Sequence, residues 1–294
     1  MRLLLALTLL ASFSVHAAAD DAAKPAEAKA ADAKPSEAKP PTAGSIEVYA
    51  IDCGHFTFKD LGFFSDTGEY DGKPGTKIDT CVLVHHPDGW MLWDTGVPDA
   101  LAKGPIDTPM AKMARTGTLE AALGELKLTP ADIKFVGISH SHFDHTGNLA
   151  MFPAATVLLQ QKEFDAITGP TPPPGTEPAT IAAYKAAKTN LLHGDFDVFG
   201  DGRVKILTTP GHTAGHQSLL LKLKSGNVIF SGDLWHARES LVHKRVPIFN
   251  FDRAQTLASM DRVERLAQTF KAKIFIQHDE GDFARLPKFP AALK

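Results

Sequence analysis

The chain has 294 residues, 44% of them hydrophobic, which is enough for one large buried core. Its net charge is −3, with no long block of like charge. There is thus no basic surplus for gripping a phosphate backbone, and nucleic acid is not an expected partner.

Arg2, the apolar run over residues 3–15 and the sequence Val15-His16-Ala17 read as a cleaved secretory signal over residues 1–17. The mature protein is therefore expected in the periplasm or secreted. That run is shorter than the roughly 20 apolar residues a spanning helix needs, and no later segment reaches that length. No integral membrane segment is expected after signal cleavage. Residues 18–44 mix Ala, Lys, Pro, Glu and Asp and contain Lys24-Pro25, Lys34-Pro35 and Lys39-Pro40-Pro41. Such a composition buries too little apolar surface to offset its ordering entropy, so a disordered linker is expected there. The folded domain is expected over residues 45–294.

Within that domain, Ile46, Val48 and Ala50 alternate with Glu47 and Tyr49 as in a half-buried strand. Residues 80–85 and 90–93 read as further strands joined by Pro87-Asp88-Gly89. Helical periodicity follows over 118–126, a helix start at Thr129-Pro130-Ala131-Asp132, and an apolar strand over 135–138. Then come a strand at 156–159, a helix around Glu163, a Pro/Gly-rich loop over 169–178 and a helix over 179–189. The second half gives strands at 204–208, 218–223 and 228–230, an amphipathic helix over 253–270 and a last strand at 274–276. Two halves, each with strands before helices, suggest two packed sheets covered by helices. Cys53 and Cys81 are the only cysteines. Export permits a disulfide, but spacing alone does not bring their Cα atoms together, and two buried thiols are the expectation.

The strongest chemical signal is Ser139-His140-Ser141-His142-Phe143-Asp144-His145, directly after an apolar strand. Alternation places His140, His142 and Asp144 on one side, and the turn brings His145 alongside. Packing does not account for such a cluster of imidazoles and a carboxylate. Three later strands each end on a further donor: His212, Asp233 and His278. Imidazole and carboxylate ligands suit Zn and leave Mn, Fe or Co open.

The H-x-H-x-D-H block, the later His212, Asp233 and His278, and Trp93-Asp94-Thr95-Gly96 upstream resemble the metallo-β-lactamase superfamily, over essentially residues 45–294. The resemblance implies an α+β fold, the αββα sandwich, with two packed mixed β-sheets flanked by helices. It also implies two divalent metal ions. One would be held by His140, His142 and His212, the other by Asp144, His145 and His278, with Asp233 bridging and Asp94 orienting a ligand imidazole from behind. Hydrolysis through a metal-bridging hydroxide follows, with Asp144 passing a proton to the departing alkoxide.

His212-Thr213-Ala214-Gly215-His216-Gln217-Ser218, with Asp233 and the Trp93-Asp94-Thr95-Gly96 segment, most resembles the N-acyl-homoserine lactonase branch. A small-molecule lactone or ester is then the expected substrate. The alternative is another ester, thioester or organophosphate hydrolase on the same metals. One departure is His236, which stands three residues after Asp233 where lactonases of this branch carry tyrosine. It would donate to the lactone carbonyl in tyrosine's place, or merely pack. Phe56, Phe58, Phe63 and Phe64 read as an apolar loop between the first two strands. They would form a groove for an acyl chain, ordinary core, or a homodimer contact.

Overall fold

Runs of β-branched and aromatic residues separated by Gly, Pro and Asp turns give two mixed sheets, seen in a computed structural model that describes residues 44–294. The expected signal over 1–17 and linker over 18–44 lie outside the described residues, save Gly44. The first sheet contains β1 (Glu47–Phe58), β2 (Gly75–His86), β3 (Gly89–Trp93), β4 (Ile106–Asp107), β5 (Ala111–Ala114), β6 (Ile133–Gly137), β7 (Thr156–Gln160) and β8 (Lys188–Leu192), in the order β4-β5-β1-β2-β3-β6-β7-β8. The second contains β9 (Phe196–Asp197), β10 (Val204–Thr208), β11 (Gln217–Leu221), β12 (Val228–Phe230) and β13 (Lys273–Phe275), in the order β13-β12-β11-β10-β9.

Their inner faces interdigitate: Val48, Val82, Val84 and Trp93 from the first sheet meet Val204, Ile206, Leu219 and Phe230 from the second. The outer face of the first sheet is covered by α1 (Leu119–Glu125), α3 (Gln161–Thr168) and α4 (Pro178–Ala186), through Leu119, Leu123, Ile167 and Tyr184. A four-residue helix, α2 (Phe143–Thr146), lies between α1 and α3 in the chain. On the second sheet's outer face, α6 (Arg253–Phe270) sets Met260, Val263 and Ala267 against Leu220 and Ile229. Short helices α5 (Arg238–His243) and α7 (Glu280–Ala284) complete the αββα sandwich. Among the described residues, no helix is long and apolar enough to cross a membrane.

The structure corrects four sequence expectations. Residues 188–189 do not continue a helix: α4 stops at Ala186, and Lys188–Leu192 pairs in parallel with β7 as β8, sheet pairing outweighing the preceding alanine run. The helix start at Thr129 is a closed capping box on a single turn, Pro130–Asp132, cut off because Ile133 already enters β6. Phe56 and Phe58 are not on a loop, because β1 runs on to Phe58 and pairs there with both β2 and β5. Finally, Cys53 and Cys81 form a disulfide, with Cα atoms 5.8 Å apart. The β1–β2 register shifts between Asp52 and Gly54, and this bulge carries Cys53 beside Cys81.

At the end of the sandwich where β2 turns into β3, the buried His86 stacks on Phe199 with ring centres 4.0 Å apart. Its Nε2 lies 2.9 Å from Asp201 Oδ2, latching β2 to the segment that precedes β10.

Candidate metal centre

All the chemistry-bearing side chains gather at the opposite end, on segments that leave β3, β6, β10, β12 and β13. One donor atom from each of His140, His142, His212 and Asp233 falls within a sphere of mutual distances no greater than 4.8 Å, and Asp144, His145 and His278 form a second such group. Asp233 stands between the two. Its Oδ1 is 3.1 Å from both His145 Nε2 and His278 Nε2, while its Oδ2 is 3.5 Å from His212 Nε2 and 3.7 Å from His140 Nε2.

The imidazoles are held from behind. His145 Nδ1 donates to Asp94 Oδ2 at 2.9 Å, His278 Nδ1 to Ile78 O at 2.7 Å, and His212 Nδ1 meets Asn250 Oδ1 at 2.9 Å. Each bond fixes a ring so that Nε2 faces inward. Asp94 follows β3 directly with φ 58°, a backbone conformation that Asp tolerates better than most residues. Its Oδ1 accepts from Ser139 N at 2.6 Å, holding the start of the histidine block.

Four further residues escaped the sequence reading. Gln277 spends its whole amide here: Oε1 accepts from Trp93 Nε1 and Gly232 N, and Nε2 donates to Thr80 O and Asp94 Oδ2, all at 2.9 Å. Buried Glu163 accepts from Ser141 N and Gly215 N, both at 2.8 Å, so one carboxylate ties the histidine block to the His212 segment. A Cβ on Gly215 would lie 2.4 Å from Glu163 N, which requires glycine there. His216 donates from Nδ1 to Thr209 O at 3.0 Å and accepts on Nε2 from Asp233 N at 2.9 Å. Burial takes its pKa down to about 4, so it stays neutral and keeps that acceptor. Gly232 sits at φ +56°, and a Cβ there would meet His216 Nε2 at 2.6 Å. Phe249, on the loop between α5 and α6, places its ring centre 5.6 Å from His212 and 5.8 Å from His236. The Gln277 position was visible beside His278; Glu163, Asn250 and Phe249 carry no local signal.

The remaining candidates sit around this centre. His236 is buried, with Nε2 3.0 Å from Asp233 Oδ2. Phe56 lies edge-on 6.3 Å from His278, and Phe64 lies 5.0 Å from His236. Phe58 packs behind them at 5.7 Å from Phe56 and 5.1 Å from Phe64, with Phe63 partly exposed beside it.

The donor set fits a divalent cation. Asp233 Oδ1 is buried without a hydrogen bond, although two imidazole nitrogens face it. Burial disfavours protonation of His145 and His278, yet the Asp233 and Asp144 carboxylates, joined at His145 by Asp94, outweigh it. His145 is raised well above the imidazole range and His278 to about 9. Burial instead holds His140 and His212 well below that range. Carboxylates that recruit protons onto neighbouring imidazoles are sites where a cation displaces those protons.

Comparison with known proteins agrees with this geometry. The chain is 28% identical over 221 residues to the N-acyl homoserine lactonase AttM of Azorhizobium caulinodans, covering 71% of this chain and 84% of that one. It is also 28% identical over 211 residues to the N-acyl homoserine lactonase AiiA of Bacillus thuringiensis subsp. kurstaki, covering 68% and 80%. A solved structure of a quorum-quenching N-acyl homoserine lactone hydrolase superposes with a TM-score of 0.74 at 25% identity, covering 85% of this chain and 98% of that one. The family model of the metallo-beta-lactamase superfamily matches residues 75–269, about two thirds of the chain and every donor named above except His278. With fold, donor cluster and family match in agreement, the chain belongs to the metallo-β-lactamase superfamily.

Proposed function

We propose that the protein is a binuclear metal hydrolase that opens the lactone ring of N-acyl homoserine lactones, exported and quorum-quenching in effect. The observation that carries this reading is the position of Asp233, one carboxylate oxygen turned to each donor group. His140, His142 and His212 would hold one ion and Asp144, His145 and His278 the other, with Zn favoured by the five imidazoles. Divalent ions there lower the pKa of bound water and polarise an ester carbonyl.

The chain's own residues do the rest. Asp94, Asn250 and the Ile78 carbonyl keep the three imidazoles in one tautomer. Asp144, whose Oδ2 is 3.7 Å from His278 Nε2, is more exposed than Asp233 and is placed to hold the proton that the departing alkoxide needs. Phe63, Phe64 and Phe249 offer an apolar wall for an acyl chain. Relatives named as N-acyl homoserine lactonases support the substrate class. Export is supported by the apolar leader pattern and by the Cys53–Cys81 disulfide, which an oxidising compartment maintains.

One observation favours the alternative of another ester, thioester or organophosphate. His236 Nε2 lies 3.0 Å from Asp233 Oδ2, so this nitrogen already has a partner within the site. The test is ring opening of short- and long-chain N-acyl homoserine lactones by metal-counted protein, followed by proton release, with a thioester and a phosphotriester in parallel. Lactone opening that disappears on chelation and returns with two ions per chain is the expected result. Faster thioester or phosphotriester cleavage would move the protein to the alternative. His236→Tyr is expected to maintain or raise lactone opening, and a change no larger than that of a distant surface variant counts against a substrate contact at this position.

A further inference from the structure

On the far side of His236 from the donor cluster lies a cleft of about 160 Å³, lined among others by Leu61, Phe64, Tyr70, Lys77, His236 and Glu239. Lys77 reaches it from β2, where the residues that follow, from Ile78 to Val84, are all buried. Only 9% of Lys77 is exposed. Its Nζ donates to His236 O at 2.6 Å and lies 5.6 Å from the centre of the Phe64 ring. No described carboxylate makes an ion pair with it. Asp279, Glu280, Glu239 and Asp233 act on it only through space, and burial holds its amine below the usual lysine range.

An ammonium has three donors, and one is spent on the His236 carbonyl. A buried cation without a directly paired carboxylate is costly, and a cleft beside it is a natural place for one to arrive. The negative group already in the cleft is occupied: Glu239 accepts from Tyr70 Oη at 3.1 Å and from Arg245 at 2.9 Å. A single cation between the apolar walls of Leu61 and Phe64 suits a monoanion on a short apolar stem better than a phosphate dianion, which needs more donors. The cleft also adjoins the reacting centre, because His236 joins Lys77 on one side to Asp233 Oδ2 on the other.

We propose that this cleft is an anion subsite that takes a carboxylate carried on the acyl side of an ester or lactone substrate. The assignment rests on the hydrolase reading above. The test compares the monophenyl ester of glutaric acid with phenyl pentanoate on the metal-loaded full chain. The wild type should favour the charged ester by about 10-fold in kcat/KM, mainly through KM, as a charge-assisted hydrogen bond allows. K77M should bring the ratio near one, and K77R should retain most of the preference. Because a ratio is read, any loss common to both esters cancels. A wild-type ratio near one, or a preference that survives K77M, overturns the subsite while ester turnover keeps the hydrolase. If neither ester is cleaved, the lactone assay above still decides the hydrolase reading, and calorimetric titration with glutarate decides the subsite. Binding weakened about 10-fold by K77M supports it; equal binding to both proteins, or none to the wild type, overturns it.

Discussion

Asp233→Ala is expected to lower hydrolysis by about a thousandfold or more and to leave fewer than two ions bound per chain, while the protein remains folded. The carboxylate is the one group within reach of four imidazoles drawn from both donor groups: His140 and His212 through Oδ2, His145 and His278 through Oδ1. Removing it leaves those rings aimed at each other without the charge that holds two cations together. Folding is less exposed to the change. The three large apolar clusters lie between and outside the sheets, and Asp233 N would keep its bond to His216 Nε2. Metal analysis, turnover and thermal unfolding of the same preparation check all three statements. Full activity in a well-folded Asp233→Ala protein would sink the binuclear reading.

Replacing Cys53 and Cys81 by Ser should lower stability by about 3 kcal/mol and the melting temperature by roughly 10 °C. The bond closes a separation of 28 residues, which takes in the whole β1–β2 connection and the strand ends beside it, and so restricts the unfolded chain. Its folded surroundings are tight as well. A Cβ on Gly96 would lie 2.5 Å from Cys53 Cβ, and Val97 N donates both to Cys53 O and to Asp79 Oδ2. Loosening Cys53 therefore reaches the segment that begins at Asp94. Thermal unfolding with and without reductant gives the same comparison on the native chain. An unchanged melting temperature in both experiments would mean the disulfide does not form.

The donor residues were legible because metal chemistry concentrates them: four stand within six positions, and the other three each close an apolar strand. The sandwich was legible through the alternation of strands and the clean period of residues 253–270, which the structure reproduces as α6. What escaped depends on partners distant in sequence. Lys188 and Thr189 belong to β8 only because β7 offers an open edge, and an alanine-rich stretch before them points locally to helix. The disulfide depends on a one-residue bulge that no pattern reveals. His55 to Phe58 did alternate like a strand, but the bulge at Asp52 and Gly54 broke the period that would have linked them to the preceding residues. Asn250 stands 38 residues from the imidazole it orients, and Glu163 joins two loops separated by 52 residues on one side. Buried hydrogen-bond partners of this kind announce themselves only in three dimensions.

The latch of His86, Asp201 and Phe199 lies at one end of the sandwich, and every donor lies at the other. Substitutions that exchange one substrate for another can accumulate in the loops around His142, His212 and Phe249 without touching the latch or the three clusters between and outside the sheets. Selection can thus rewrite the catalytic repertoire at one end while the other keeps the chain folded, and a library built for new specificity should sample only the former.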